Sequence, residues 1–227
     1  MALLQADDQR HGYLEAFRSI RSSLLYAGES GKLARTIVIT SSEPNDGKSM
    51  TAANLAITIA QGGARVLLID ADLRKGLLHE RLKLASQPGL SEALINGTKW
   101  SDMIQPTAFP TLSFLARGAT TQRSSELFLG GVAEKFLKEA SASYDYVLVD
   151  TAPVMAADDV TSLAPHTDGV IFVIRAERTS ARIARAALET LTRRRATILG
   201  LVFNAVRTTS GDYYHYYKYK DYYKGHS

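Results

Sequence analysis

The chain has 227 residues, enough to bury one sizeable core, with 45% hydrophobic and 22% charged residues. Its 27 Lys and Arg against 23 Asp and Glu leave a net charge of +4, too small an excess to argue for nucleic acid, and the absence of cysteine excludes disulfides, thiolate metal sites and a cysteine nucleophile. No run approaches the ~18 apolar residues of a membrane span, and Met1–Asp8 lacks the basic-then-apolar pattern of a signal peptide. The chain as given therefore reads as soluble with a cytoplasmic home, which is compatible with its being a piece of a longer membrane protein.

In chain order, Tyr13, Leu14, Phe17, Ile20, Leu24 and Leu25 give residues 11–27 a helical spacing, with a break at Gly28–Gly31. Short apolar runs follow at Thr36–Thr40, Val66–Ile69, Leu112–Leu115, Tyr146–Val149, Val170–Ile174 and Ile198–Phe203. Helical patterns fall between them near 49–61, 124–140 and 179–194. Near-continuous rather than alternating apolar runs are those of strands buried on both faces. Strand–helix alternation predicts a single α/β domain with a mainly parallel central sheet flanked by helices. The expected organisation is a helical segment at 1–31, a core at 32–207 and a tail at 208–227. Arg193-Arg194-Arg195 reads as a solvated helix end near the negative terminus of the helix dipole.

The chemistry gathers at strand ends. The first predicted strand runs through Ser42-Glu43-Pro44-Asn45-Asp46-Gly47 into a helix opening at Lys48-Ser49-Met50. That is the setting of a P-loop: backbone amides and a helix N-terminus wrap phosphates, Lys48 reaches the β and γ groups, and Ser49 can ligate magnesium. Position 42 is Ser where the general pattern opens with Gly. Asp70 and Asp72 follow the second long strand at its carboxyl edge, as candidates for metal coordination and for taking a proton. Asp150 ends the run Tyr146–Val149, a Walker-B position that holds magnesium directly or through water.

The ordered set Ser41–Ser49, Leu68–Lys75 and Val149–Pro153, closed by a tyrosine cluster, resembles the bacterial tyrosine kinases over nearly the whole chain. These belong to the deviant-Walker P-loop class that also holds the Mrp, MinD and ParA ATPases. The resemblance implies a P-loop NTPase fold, ATP and Mg2+ as cofactors, Walker A at Ser42–Ser49, Walker A′ at Asp70–Arg74 and Walker B at Asp150. Asn204 resembles the adenine-reading Asn of that class, although strand-end Asn residues are also common turn formers. Glu15, Arg18 and Arg21 match the family's Glu-x-x-Arg-x-x-Arg pattern for ring-shaped self-association, and their spacing places them on one helix face. Two departures stand out: Leu77 sits where several relatives carry a tyrosine, and Ala116–Arg123 lacks the expected prolines.

The tail carries Tyr213, Tyr214, Tyr216, Tyr217, Tyr219, Tyr222 and Tyr223 among lysines, with no aliphatic residue, and reads as mobile. As phosphoacceptors these phenols need a base, Asp70 or Asp72, and charge neutralisation by magnesium and Lys48. The implied activity is ATP-dependent autophosphorylation on tyrosine, in trans within a homo-oligomer. From the resemblance come regulation of capsular or extracellular polysaccharide export, a transmembrane co-polymerase as partner or fused N-terminal part, and a cognate tyrosine phosphatase. The rivals are a MinD/ParA-type positioning ATPase, whose signature lysine is expected near position 43, here Glu43, and a nucleotide-sensing module stacking its tyrosines on RNA or polysaccharide.

Overall fold

In the computed structural model the described residues are 2–5, 11–27, 33–129 and 131–207. The break at Gly28–Gly31 and the tail from residue 208, with all seven candidate phosphoacceptors, lie outside them. Along the chain come α1 (His11–Leu24), β1 (Thr36–Ser41), α2 (Lys48–Gln61), β2 (Val66–Asp70), α3 (Leu78–Leu82), α4 (Leu90–Asn96), β3 (Gln105–Pro106) and β4 (Leu112–Leu115). Then follow α5 (Ser124–Leu127), α6 (Val132–Ser143), β5 (Tyr146–Asp150), α7 (Asp159–Leu163), β6 (Gly169–Arg175), α8 (Ala181–Arg193) and β7 (Ile198–Asn204).

The strands form one sheet in the order β3-β4-β2-β5-β1-β6-β7, parallel except for the short β3–β4 pair. Each central strand feeds two cores because its side chains alternate in direction. Ile37 and Ile39 face a layer with Phe17, Leu55, Ile57 and Phe114, whereas Val38 faces the opposite layer with Phe136, Leu163, Phe172 and Leu191. All six apolar runs are strands, and the central ones are buried on both faces as their composition predicts, whereas β7 at the sheet edge leaves Leu201 and Phe203 exposed.

One predicted helix is two. The 124–140 pattern is interrupted after α5, and α6 starts beyond Gly131, whose φ of 81° is a left-handed conformation that ends a helical run. The 11–27 pattern stops at Leu24, with Leu25 and Tyr26 in a turn. Helices α3, α4 and α7 carry too few turns to write a periodicity.

The amino-terminal segment lies against α2. Buried Asn54 accepts a hydrogen bond from the Leu4 amide (2.8 Å) and donates to the Ala2 carbonyl (3.3 Å) and the Tyr13 hydroxyl (2.6 Å). Arg21 of α1 donates to the Thr58 carbonyl at 3.0 Å, so one candidate self-association residue binds within the chain. Arg18 pairs with Glu15 at 2.7 Å along the same helix. Among the described residues no helix is long and apolar enough to cross a membrane.

Candidate phosphate and metal site

Strand order creates the site. β1, β5 and β2 are neighbours, so the loop after β1 and the acids ending β2 and β5 share one carboxyl edge, with Asp70 in register with Asp150. The β1–α2 loop turns into α2 at Gly47, where φ is +99° and a Cβ would collide with the Asn204 side chain. Only glycine meets both conditions. The first amides of α2, like those of any helix N-terminus, lack carbonyl partners within the helix and suit a phosphate.

Lys48 leads from this loop to the acids. Its Nζ is 3.4 Å from Asp72 Oδ2, 3.5 Å from Asp150 Oδ1 and 3.1 Å from Ser49 Oγ. Burial opposes its charge, but Asp150, Asp72 and Asp70 together outweigh that and raise its pKa. Asp70 is fully buried; its carboxylate accepts from the amides of Asp72 (3.3 Å) and Leu78 (3.1 Å), and Gly76 packs so closely over it that a Cβ there would clash. Burial, then the neighbouring Asp150, pushes Asp70 up to about 8. Burial pushes Asp150 up to about 6, held back by Lys48. Asp72 accepts from the Lys75 amide at 2.9 Å and is slightly more open than the other two acids.

The donors fit magnesium. Apart from the ion pair of Oδ1 with Lys48, the buried oxygens of Asp150 accept no hydrogen bond, which leaves the carboxylate capacity for a further ligand. Ser49, Asp72 and Asp150 offer hard oxygen ligands. No group of three or more acidic, His or Cys side chains forms a metal cage among the described residues. Mg2+ is commonly held by one or two carboxylates and completed by phosphate and water.

The P-loop is braced by residues that no local pattern announces. Asp46 is buried; its carboxylate accepts from Ser42 Oγ (3.3 Å), the Glu43 amide (3.1 Å) and Thr179 Oγ1 (2.8 Å). Arg175 donates to the Asn45 carbonyl at 2.9 Å, and Asn204 Nδ2 donates to the Asp46 carbonyl at 2.8 Å. Asn204 thus touches the backbone of the loop, a contact separate from the adenine-reading role that the resemblance implies. Met50 lines a separate cleft with Leu3, Leu82 and Phe109, while its backbone stays in the first turn of α2. Pro44 and Asn45 are exposed at the loop's outer edge. Loss of one hydrogen bond to a charged group predicts that Thr179→Val raises the KM for Mg-nucleotide about tenfold with a smaller change in kcat, and that Thr179→Ser restores it. Steady-state titration of nucleotide checks this.

A second brace lies behind Walker A′. Arg74 donates to Ser124 Oγ at 2.9 Å, and Ser124 and Ser125 donate to buried Asp159 at 2.9 and 2.7 Å. Arg117 donates to the Gly76 carbonyl at 2.9 Å, so the proline-free segment 116–123 still holds the loop after Asp70.

A model of an AAA domain matches residues 34–198. EpsB of Ralstonia nicotianae is 36% identical over 215 residues, covering 92% of this chain and 28% of EpsB. Tyrosine-protein kinase YwqD of Bacillus subtilis is 34% identical over 207 residues, covering 91% of this chain and 87% of YwqD. The chain thus spans about a quarter of some relatives and most of others. The kinase domain of Escherichia coli tyrosine kinase ETK superposes with a TM-score of 0.82 at 30% identity, covering 87% of this chain and 77% of that one. MinD of Pyrococcus horikoshii, solved with Mg-ADP, shares the fold at a TM-score of 0.66 and 24% identity, covering 78% of this chain and 72% of that one.

Proposed function

The chain belongs to the bacterial tyrosine-protein kinase family, and from that premise we propose that it transfers the γ-phosphoryl group of ATP to tyrosines, first to Tyr213–Tyr223 of its own tail. The observation that carries this reading is the placement of Lys48 between Asp72 and Asp150 at the head of a phosphate-binding helix. The phenolic oxygen forms a bond to the γ-phosphorus as the bond to the β,γ-bridging oxygen breaks. ADP leaves with that electron pair, and the phenol proton passes to a carboxylate. Lys48 neutralises charge on the β and γ oxygens as it develops. Ser49, Asp72 and Asp150 would hold magnesium, which supplies further positive charge to those oxygens.

Access separates the two Walker A′ acids. Asp70 is sealed beneath Gly76, whereas Asp72 borders the site, so Asp72 is the carboxylate an incoming phenol reaches. Asp70 acts through the loop it holds: its carboxylate fixes the amides of Asp72 and Leu78. Phosphorylation in trans within a homo-oligomer, with Glu15, Arg18 and Arg21 at or near the subunit contact, raises the effective concentration of tail at each site. The setting inferred from the family is the inner face of a membrane, beside or fused to a transmembrane polysaccharide co-polymerase, with a tyrosine phosphatase reversing the reaction and polysaccharide export as the regulated process.

A chain truncated after Arg207 is expected to hydrolyse ATP and to give no phosphotyrosine signal, while the full chain with Mg-ATP gives a strong one. Hydrolysis by the full chain without any phosphotyrosine would instead favour a positioning ATPase, the reading that Glu43 argues against.

A further inference from the structure

Between α8 and β7 the protein leaves a groove of about 700 Å³. Its apolar lining includes Ile174, Ala184, Leu188 and Phe203, and Arg185 and Arg193 add charge along α8. β7 ends the sheet, and among the described residues no strand pairs with its outer side. Phe203 is 63% exposed and Leu201 46%. Large apolar side chains beside an open strand edge make a docking surface rather than a packed one.

The charge around the groove is mainly positive. Its lining carries Arg175, Arg185 and Arg193 against Glu177 and Glu189. Glu177 is paired with Arg207 at 3.1 Å, and Arg175 is engaged with the P-loop. Exposed Arg182 precedes Arg185 on α8, and Arg194 and Arg195 extend the basic stretch past its end. Aromatic rings against the apolar lining and phosphates against guanidinium groups would satisfy both features of the groove.

The chain carries a segment that acquires this chemistry. Tyr213 is ten residues beyond Phe203, and the six residues from Arg207 to Tyr213 reach at most about 20 Å. Helix α8, with 13 residues, is itself about 20 Å long. Before phosphorylation Lys218, Lys220 and Lys224 outnumber Asp212 and Asp221, so the arginines do not attract the tail. Each phosphate adds about −1.5 to −2 charge and reverses that.

We infer that the α8–β7 groove binds the chain's own tail once its tyrosines are phosphorylated. The inference rests on the kinase reading and adds a place for the product. The groove begins beside the P-loop, where Thr179 and Arg175 belong to both, so a docked tail lies next to the nucleotide site and leaves it free for another acceptor.

The test uses the full chain after treatment with Mg-ATP. Hydrogen exchange of residues 181–193 and 198–207 is compared before and after removal of the phosphates, at two protein concentrations a factor of ten apart. Removal of tail phosphates by an added tyrosine phosphatase is timed for wild type and for the Arg185→Glu/Arg193→Glu variant. Slower exchange in the phosphorylated chain, unchanged by dilution, and phosphate removal roughly tenfold faster in the variant are expected. The wild-type exchange comparison stands even if the variant folds poorly. Phosphotyrosine without protection of the groove overturns the docking alone. Protection that fades on dilution overturns the own-chain assignment in favour of a neighbouring copy, and absence of phosphotyrosine overturns the kinase reading and the docking together.

Discussion

Lys48→Met is expected to lower tyrosine phosphorylation by at least about 10²- to 10³-fold, the scale for losing one charge-stabilising donor in a transfer step. The loss falls on the transition state, because negative charge builds on the phosphate oxygens that the ammonium faces. The same change removes the cation lying within 3.4 and 3.5 Å of two enclosed carboxylates. Breaking a buried pair from one side costs about 3–5 kcal/mol, because the remaining charge loses its partner. Methionine fills a similar volume, so the penalty is electrostatic and shrinks at acid pH, where the carboxyls protonate. A phosphotyrosine blot measures the first effect, and melting at pH 5 and pH 8 measures the second. Lys48→Arg is expected to recover stability better than activity, since a larger planar guanidinium keeps the charge but cannot take the place of a compact ammonium.

The second large effect is a loss of stability of the nucleotide-free protein as pH rises. Asp70 and Asp150 titrate at about 8 and about 6 in the folded chain, against an ordinary value of 3.8. Between those values the folded chain holds protons that the unfolded chain has released, so unfolding free energy falls with increasing pH. The contribution is complete below about pH 4, falls most steeply up to about pH 6, where Asp150 ionises and its share is spent, and more slowly up to about pH 8, where Asp70 ionises and the rest is gone. The total is on the order of several kcal/mol. Asp70→Asn is expected to flatten the upper part of the curve, because the amide cannot ionise while most of the enclosure around residue 70 stays the same. Urea titrations at pH 4, 6 and 8 without nucleotide or metal check both statements. A stability that rises from pH 4 to pH 8 would show that these carboxyls are ionised throughout.

Much of this architecture was legible in the sequence because strands buried on both faces write continuous apolar runs. All six runs are strands, and the acids at their ends meet at one edge because β5 lies between β1 and β2. What escaped was built from single residues far apart. Thr179 meets Asp46 across 133 positions, and Asp159 meets Ser124 and Ser125 across 35 and 34. Such pairs have no period, so no window of sequence contains them. The 124–140 segment misled for the opposite reason: apolar spacing continued through a glycine whose left-handed backbone divides the helix. At Met50 membership of a motif fixes a backbone position and leaves the side chain to the local packing.

The Asn54 contacts have a mechanical consequence. Helix α2 carries the phosphate-binding amides at one end, and Asn54 lies six residues from Lys48, about 9 Å along the axis. Through that one side chain the backbone at Ala2 and Leu4 is stitched to the helix. Tension applied ahead of residue 2 would therefore load α2 itself rather than a compliant loop, and displacement along that line would be delivered to the first turn of α2 beside Lys48.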